Sequence, residues 1–189
     1  MPEPRDLPLF RWGAELRAAR LLRRQRLRLL ACGLAGVVAL AVASLLPRVP
    51  LLVWNVSASA PRGLYGVLPG AVLDRGMMVV ARTPAAVRAL AAERHYLPAN
   101  VPLVKRVAAL PGDRVCARGR WIYVRYSAVA HRQTHDHAGR AMPWWRGCRP
   151  LGKAEYLLLM PADASFDGRY FGPVTRTNIL GRAVPLWTE

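Results

Sequence analysis

The sequence has few lysines, few acidic residues and few cysteines, and each shortage restricts what the protein can be. Of its 28 lysines and arginines only Lys105 and Lys153 are lysines. Arginine keeps its proton in proteins, whereas burial can drive a lysine toward its neutral form. The two lysines are therefore the first candidates for a general base.

The 11 acidic residues leave a formal net charge of +17. Such a charge favours contact with nucleic acid or with an anionic membrane surface. No nucleic-acid-binding motif accompanies it, so we expect no nucleic-acid partner.

A long apolar run near the N-terminus predicts a membrane anchor. Residues 29–46 contain no charge and no proline, and 18 apolar residues reach the lower end of what spans a bilayer as a helix. Arginines crowd the preceding segment, residues 1–28, and positive residues remain on the cytoplasmic side. We expect a single-pass membrane protein with its N-terminus in the cytoplasm and the residues from about 54 onward periplasmic or extracellular; in a bacterium the membrane would be the inner one. A buried helix of a soluble protein and a cleaved signal peptide are the alternatives.

The three cysteines fit this topology. Cys116 and Cys148 fall in the part predicted to be exported, where an oxidising compartment permits a disulfide between them. There is no CxxC pair, which argues against zinc or redox chemistry. The group of His131, His135, Asp136 and His137 could ligate a metal, but its spacing matches no common zinc signature. We expect no metal and no cofactor.

Residues 54–189 predict a mainly β domain, because glycine and proline divide them into short apolar runs. A helical pattern is visible only at Pro84–Arg94. The stretch 117–152 is rich in His, Trp and Arg and lies between the cysteines; we interpret it as an inserted loop or cap. The predicted strands are Val72–Leu73, Met77–Ala81, Val101–Val104, Trp121–Val124 and Tyr156–Met160.

Three segments carry residues suited to catalysis. In NVSASAPRGLY, starting at Asn55, Ser57 and Ser59 alternate and would lie on one side of an extended strand. In LVKRVAALPGD, apolar neighbours surround Lys105 and would favour its neutral, basic form. In ASFDGRYFGP, small, charged and aromatic residues are packed together. For the first segment the alternative is an ordinary polar turn. For the second it is a lysine exposed to solvent on a strand, and for the third it is a tight turn without a catalytic role.

Together and in this order, the three segments resemble the boxes of the type I signal peptidase family, membrane serine peptidases with a Ser–Lys pair. VKRVAALPGD resembles its lysine box, SFDGRYFGPV its last box, and NVSASAPRGLY the serine box of the conjugative-transfer branch, the TraF type. The resemblance implies a signal-peptidase-like β domain with an inserted loop subdomain. Gly168 departs from the pattern, which has serine there.

Carried over by residue, the resemblance assigns a nucleophile, a base and an oxyanion-hole hydroxyl. These are Ser59, Lys105 and Ser57 respectively, with the backbone N–H of Ser59 as the second oxyanion donor. Ser165, Asp167 and Arg169 would support the site.

The resemblance also implies a function. We expect an endopeptidase that processes an exported precursor, such as a conjugative pilin, releasing it either hydrolysed or cyclised. A conjugation or type IV secretion complex would be a partner. A general preprotein signal peptidase is one alternative. A non-enzymatic membrane component of a secretion or conjugation apparatus is the other.

Overall fold

The N-terminal unit of the chain is one long helix. The computed structural model describes residues 8–45 and 49–189, and the chain divides into the units 1–48 and 49–189. Helix α1 extends over Pro8–Leu45, and its part Ala19–Ser44 is long and apolar enough to cross a membrane. The helix begins well before the predicted span because leucine and arginine, which dominate residues 15–30, are good helix formers. Leu46 of that span and residues 1–7 of the basic segment lie outside the described residues.

The second unit is mainly β. Residues 49–189, all of them described, form strands β1 (Leu52–Asn55), β2 (Gly63–Leu68), β3 (Met78–Ala81), β4 (Leu103–Ala109), β5 (Arg114–Arg118), β6 (Trp121–Val124), β7 (Ser127–His131), β8 (Gly147–Pro150), β9 (Glu155–Leu159), β10 (Val174–Thr175) and β11 (Ile179–Thr188). They also form helices α2 (Ala85–Glu93) and α3 (Gly168–Phe171), and a 3-10 turn at Arg176–Asn178.

The strands form two antiparallel sheets. The larger has the order β1-β2-β11-β3-β4-β9-β10 and the smaller the order β7-β6-β5-β8. Alternate residues along β2 and β5 are buried, as expected of strands with one face toward a core. One cluster of buried side chains packs Tyr65 and Val67 of β2 against Val80 and Val104 of the central strands. The site described below lies on this larger sheet.

Local sequence patterns located several elements correctly. The predicted helix at Pro84–Arg94 corresponds to α2, and the predicted strand Trp121–Val124 has the bounds of β6. The prediction of a strand at Val72–Leu73 is wrong: these residues lie in an irregular connection. Leu73 is apolar because it packs into a core cluster, without strand pairing.

The segment 117–152 holds most of the smaller sheet. It contains β6, β7 and β8, and β8 returns to pair with β5. Cys116 and Cys148 lie opposite each other in that pairing and form a disulfide, as predicted. The disulfide therefore closes the segment at its base.

Candidate active site

The serine segment forms the connection of a β-hairpin. Strand β1 ends at Asn55 and pairs with Gly63 at the start of β2, leaving residues 56–62 as the connection. The expectation of an extended strand through Ser57 and Ser59 is wrong, because residues 57–60 form a turn in which the N–H of Ala60 faces the carbonyl oxygen of Ser57 at 3.5 Å. The turn still brings the two hydroxyl oxygens within 2.9 Å of each other.

Lys105 lies at the centre of the larger sheet, with its amino group against the serine hydroxyl. It occupies β4, and only 3% of the residue is exposed. Its Nζ atom donates to Ser59 Oγ and to Ser165 Oγ, each at 2.8 Å. Burial lowers the pKa of Lys105 to about 8, and Asp167 opposes part of that shift. At this pKa a substantial fraction of the amine is neutral at slightly alkaline pH.

The third segment supplies the second contact of Lys105 and a buried ion pair beneath it. Ser165 follows β9 and is 2% exposed. Asp167 and Arg169 are buried, and Arg169 Nε donates to Asp167 Oδ1 at 2.9 Å. Asp167 also accepts from the backbone N–H of Met160 and of Arg169. The carboxylate thus fixes both ends of the loop that carries Ser165, and it hydrogen-bonds to neither Lys105 nor Ser59.

Arg169 joins this loop to the smaller sheet. Its guanidinium donates to the carbonyl oxygen of Met160 on one side and to that of His131, at the end of β7, on the other. A buried charge with this many partners holds its surroundings in one arrangement. The position of Arg169 relative to Ser165 therefore depends on the fold of both sheets.

A cleft of about 610 Å³ opens over Ser59 and Lys105. One wall comes from the residues between α2 and β4, and the other from the segment between β7 and β8. Tyr96 of the first wall donates its hydroxyl to Asp136 of the second at 2.5 Å, and Arg140 also binds Asp136. These contacts link the two walls of the cleft.

The sequence prediction missed Tyr96 and Asp136 as parts of the cleft and Asn55 as part of the serine turn. Asn55 is buried and bonds four backbone groups of residues 57–61. Its position as first residue of the serine segment was the only signal available. Nothing in the sequence signals that Tyr96 meets Asp136, because the pair is 40 residues apart.

Two of the four residues predicted as possible metal ligands, Asp136 and His131, have other partners. Asp136 binds Tyr96 and Arg140, and the ring of His131 packs edge-on against Trp121. Among residues 8–45 and 49–189, no group of three or more His, Cys, Asp or Glu is arranged to hold a metal ion.

The geometry suits acyl transfer. A hydroxyl in contact with a partly neutral amine can lose its proton to that amine as it attacks a carbonyl carbon. The backbone N–H of Ser59 points to Ser57 Oγ at 3.3 Å, a long hydrogen bond. A developing oxyanion could take the place of this contact, with both groups donating to it.

Comparisons with known proteins identify the family of the chain. The family described as "Signal peptidase, peptidase S26" matches residues 23–187. The plasmid transfer protein TraF of Escherichia coli is 34% identical over 145 residues, which cover 71% of this chain and 81% of that protein. The conjugal transfer protein TraF of Agrobacterium fabrum has the same identity and coverage.

A crystal structure of signal peptidase I from Enterococcus faecalis also matches, with a TM-score of 0.34 and 16% identity, over 59% of this chain and 97% of that one. The extent of the family match and the identity to the two transfer proteins lead to one conclusion: this chain belongs to the signal peptidase family, peptidase S26.

Proposed function

We propose that the chain is a membrane-anchored serine endopeptidase in which Ser59 is the nucleophile and Lys105 the general base. The observation that carries the proposal is the 2.8 Å contact between Lys105 Nζ and Ser59 Oγ at a buried lysine facing a cleft. Desolvation makes such an amine a base near neutral pH, which a hydroxyl nucleophile requires.

The reaction needs only side chains and backbone of this unit. Neutral Lys105 accepts the proton of Ser59 as its oxygen attacks the scissile carbonyl. The oxyanion is held by the backbone N–H of Ser59 and the hydroxyl of Ser57. Protonated Lys105 then gives its proton to the leaving amine, and an ester joins the acyl group to Ser59. Water or another amine attacks the ester and gives its proton to Lys105. As the ester bond breaks, Lys105 passes that proton to Ser59 Oγ, which restores the serine hydroxyl and the neutral amine.

Ser165, Asp167 and Arg169 act as supports in this proposal. Ser165 gives the amino group of Lys105 a second contact, at the same 2.8 Å distance as Ser59. Asp167 and Arg169 fix the loop on which Ser165 lies.

The substrate we propose is a precursor held at the membrane, in the first place a conjugative pilin. The names of the similar proteins, plasmid transfer protein and conjugal transfer protein TraF, support a conjugation setting. The cluster of arginines before the apolar part of α1 supports an N-terminus in the cytoplasm and a catalytic unit in the periplasm. If an amine of the same substrate resolves the acyl-enzyme, the product is cyclic.

The test follows cleavage of a pilin precursor by the full chain in mild detergent, using mass spectrometry. Ser59→Ala and Lys105→Met are expected to abolish cleavage, and Ser57→Ala to slow it. Ser127→Ala and Lys153→Met are the matched controls, because both residues are exposed and outside the cleft. A product one water lighter than the hydrolysed peptide would establish cyclisation.

Each alternative gives a different result. Processing of a general secretory preprotein at the same rate as the pilin precursor would indicate a general signal peptidase. Full activity of both Ser59→Ala and Lys105→Met would refute the Ser–Lys mechanism. Absence of cleavage in every preparation, wild type included, would favour a non-enzymatic component of a transfer apparatus.

A further inference from the structure

The turn that carries Ser59 is held from inside by one side chain, that of Asn55. Its Nδ2 atom donates to the carbonyl oxygens of Ser57, Ala60 and Pro61 at 3.0, 3.2 and 2.9 Å. Its Oδ1 atom accepts from the backbone N–H of Ser57 at 3.2 Å. One amide group thus contacts the turn both before and after the nucleophile.

Few other side chains could do this. The position needs a donor of two hydrogens and an acceptor on the same short group, which asparagine provides. Asn55 is 7% exposed and ends β1, so its backbone is fixed by pairing with Gly63. Asn55 is therefore held rigidly. Within the turn itself, by contrast, the contact from the Ala60 N–H to the Ser57 carbonyl oxygen is long, at 3.5 Å.

We infer that Asn55 is a positioning residue for the nucleophile, which acts by holding the peptide groups around Ser59 in place during attack. The inference rests on the proposed function. In that mechanism the N–H of Ser59 must change partner, from the Ser57 hydroxyl to the oxyanion, without movement of the backbone. Preorganised donors lower the barrier only if they need not reorient at the moment of reaction. Asn55 lines the cleft, but the hydrogen bonds of its side chain go to backbone groups of the turn and to neither Ser59 Oγ nor Lys105 Nζ.

The experiment compares kcat and KM of the full chain with those of Asn55→Ala and Asn55→Asp. The aspartate has nearly the same shape and still accepts from Ser57, but it cannot donate to the three carbonyl oxygens. For both variants we expect kcat per folded molecule to fall by roughly 10- to 100-fold, with KM within about threefold of wild type. A merely structural role would lower the folded fraction and leave kcat per folded molecule unchanged.

Two control variants distinguish an effect on the position of the nucleophile from an effect on the stability of the fold. Val115→Ala truncates a buried side chain in a core cluster that contains no residue of the turn, so it should lower the melting temperature but not kcat per folded molecule. Tyr65→Phe removes the hydrogen bond from the Tyr65 hydroxyl to the carbonyl oxygen of Pro61, which Asn55 still holds. Its kcat should stay within about threefold of wild type.

Hydrogen exchange of the Asn55 side-chain amide tests the inference on the wild-type protein, so the result does not depend on whether a variant folds. The chain has three asparagines, and Asn100 is exposed whereas Asn55 is buried. The side-chain NH₂ protons of Asn55 should exchange with solvent at least tenfold more slowly than those of Asn100. Equal exchange rates would overturn the inference, as would a kcat of Asn55→Ala or Asn55→Asp within twofold of wild type. Activity remaining in Ser59→Ala would instead refute the proposed function.

Discussion

The amino group of Lys105 lies 2.8 Å from the hydroxyl oxygen of Ser59, although 46 residues separate them in the chain. Ser59 lies on the connection between β1 and β2, and Lys105 on β4, so the two groups meet only when the larger sheet has formed. The same amino group contacts Ser165, which comes from a third part of the chain.

The rate of cleavage should depend on the protonation of Lys105. Because burial lowers the pKa of Lys105 to about 8, the base is mostly protonated at pH 7 and mostly neutral at pH 9. We expect kcat/KM to rise with pH and to level off above about pH 8. Initial rates on a pilin-derived peptide between pH 6 and 10 would measure this. A rate that is flat over that interval would contradict Lys105 as the base.

Stability should rise with pH over the interval between the two pKa values of Lys105. The unfolded lysine holds its proton up to about its ordinary pKa of 10.5, and the folded one only up to about 8. Between these values the unfolded state binds more protons, so alkaline pH favours the folded state. The shift corresponds to about 3 kcal/mol in the free energy of unfolding.

Lys105→Met should remove this pH dependence. Denaturant unfolding of the full chain in detergent, followed by tryptophan fluorescence from pH 7 to 10.5, would compare it with wild type. Lys153→Met is the control and should keep the wild-type slope, because Lys153 is exposed. Parallel curves for wild type and Lys105→Met would show that the buried amine does not titrate with a lowered pKa.

Ser165→Ala should impair catalysis more than folding. The change removes one of the two serine hydroxyls that contact Lys105 Nζ and leaves only that of Ser59. The amino group is then held less firmly in the position from which it accepts the proton of Ser59. We expect kcat to fall about tenfold, the equivalent of roughly one hydrogen bond. The melting temperature of the same preparation should move by only a few degrees. Ser127→Ala serves as the reference variant, and a kcat equal to that reference would contradict the assignment.

The disulfide should stabilise the second unit. Cys116 and Cys148 are 32 residues apart, and a loop of this size implies about 3–4 kcal/mol from the restricted unfolded chain. The double variant Cys116→Ser/Cys148→Ser should lose this much in the free energy of unfolding. Cys32→Ser, which removes the free cysteine in α1, should lose far less. A loss below about 1 kcal/mol in the double variant would contradict the entropic estimate.

Gly168→Ala should be destabilising, although glycine is not the residue expected there from the family pattern. A methyl group at this position would lie 2.7 Å from the carbonyl oxygen of Leu158 and 2.8 Å from a side-chain carbon of Leu157. We expect a loss of about 1–3 kcal/mol. Gly66→Ala is the control, because its methyl group would meet only the side chain of Leu186, at 3.5 Å or more. Equal melting temperatures for the two variants would contradict this packing argument.

Sequence patterns predicted the elements whose signals are local. The alanine- and leucine-rich stretch became α2 and the run Trp121–Val124 became β6. Strand β11 was missed because Gly181 and Pro185 interrupt its apolar pattern. The structure explains both residues: a side chain at Gly181 would lie 2.4 Å from the carbonyl oxygen of Leu68, and the pairing of β11 with β2 is irregular just after Pro185.

For the candidate site, the sequence predicted only the residues that occupy fixed positions in the motifs. Ser57, Ser59, Lys105 and Ser165 were named from their boxes, and the structure brings their side chains into one chain of hydrogen bonds. The contributions of Asn55 and Tyr96 were not predictable. They consist of contacts to backbone carbonyls and to a carboxylate far along the chain, and no residue pattern encodes such contacts.

The position of β11 in the larger sheet bears on how the protein is made. It lies between β2, which follows the serine turn, and β3, which leads to the lysine strand. A ribosome therefore completes both partners of the Ser59–Lys105 contact long before it makes the strand that joins them. Until residues 179–188 are synthesised, the larger sheet lacks the strand that pairs with both β2 and β3, so the serine hairpin and the lysine strand are not yet joined by sheet pairing.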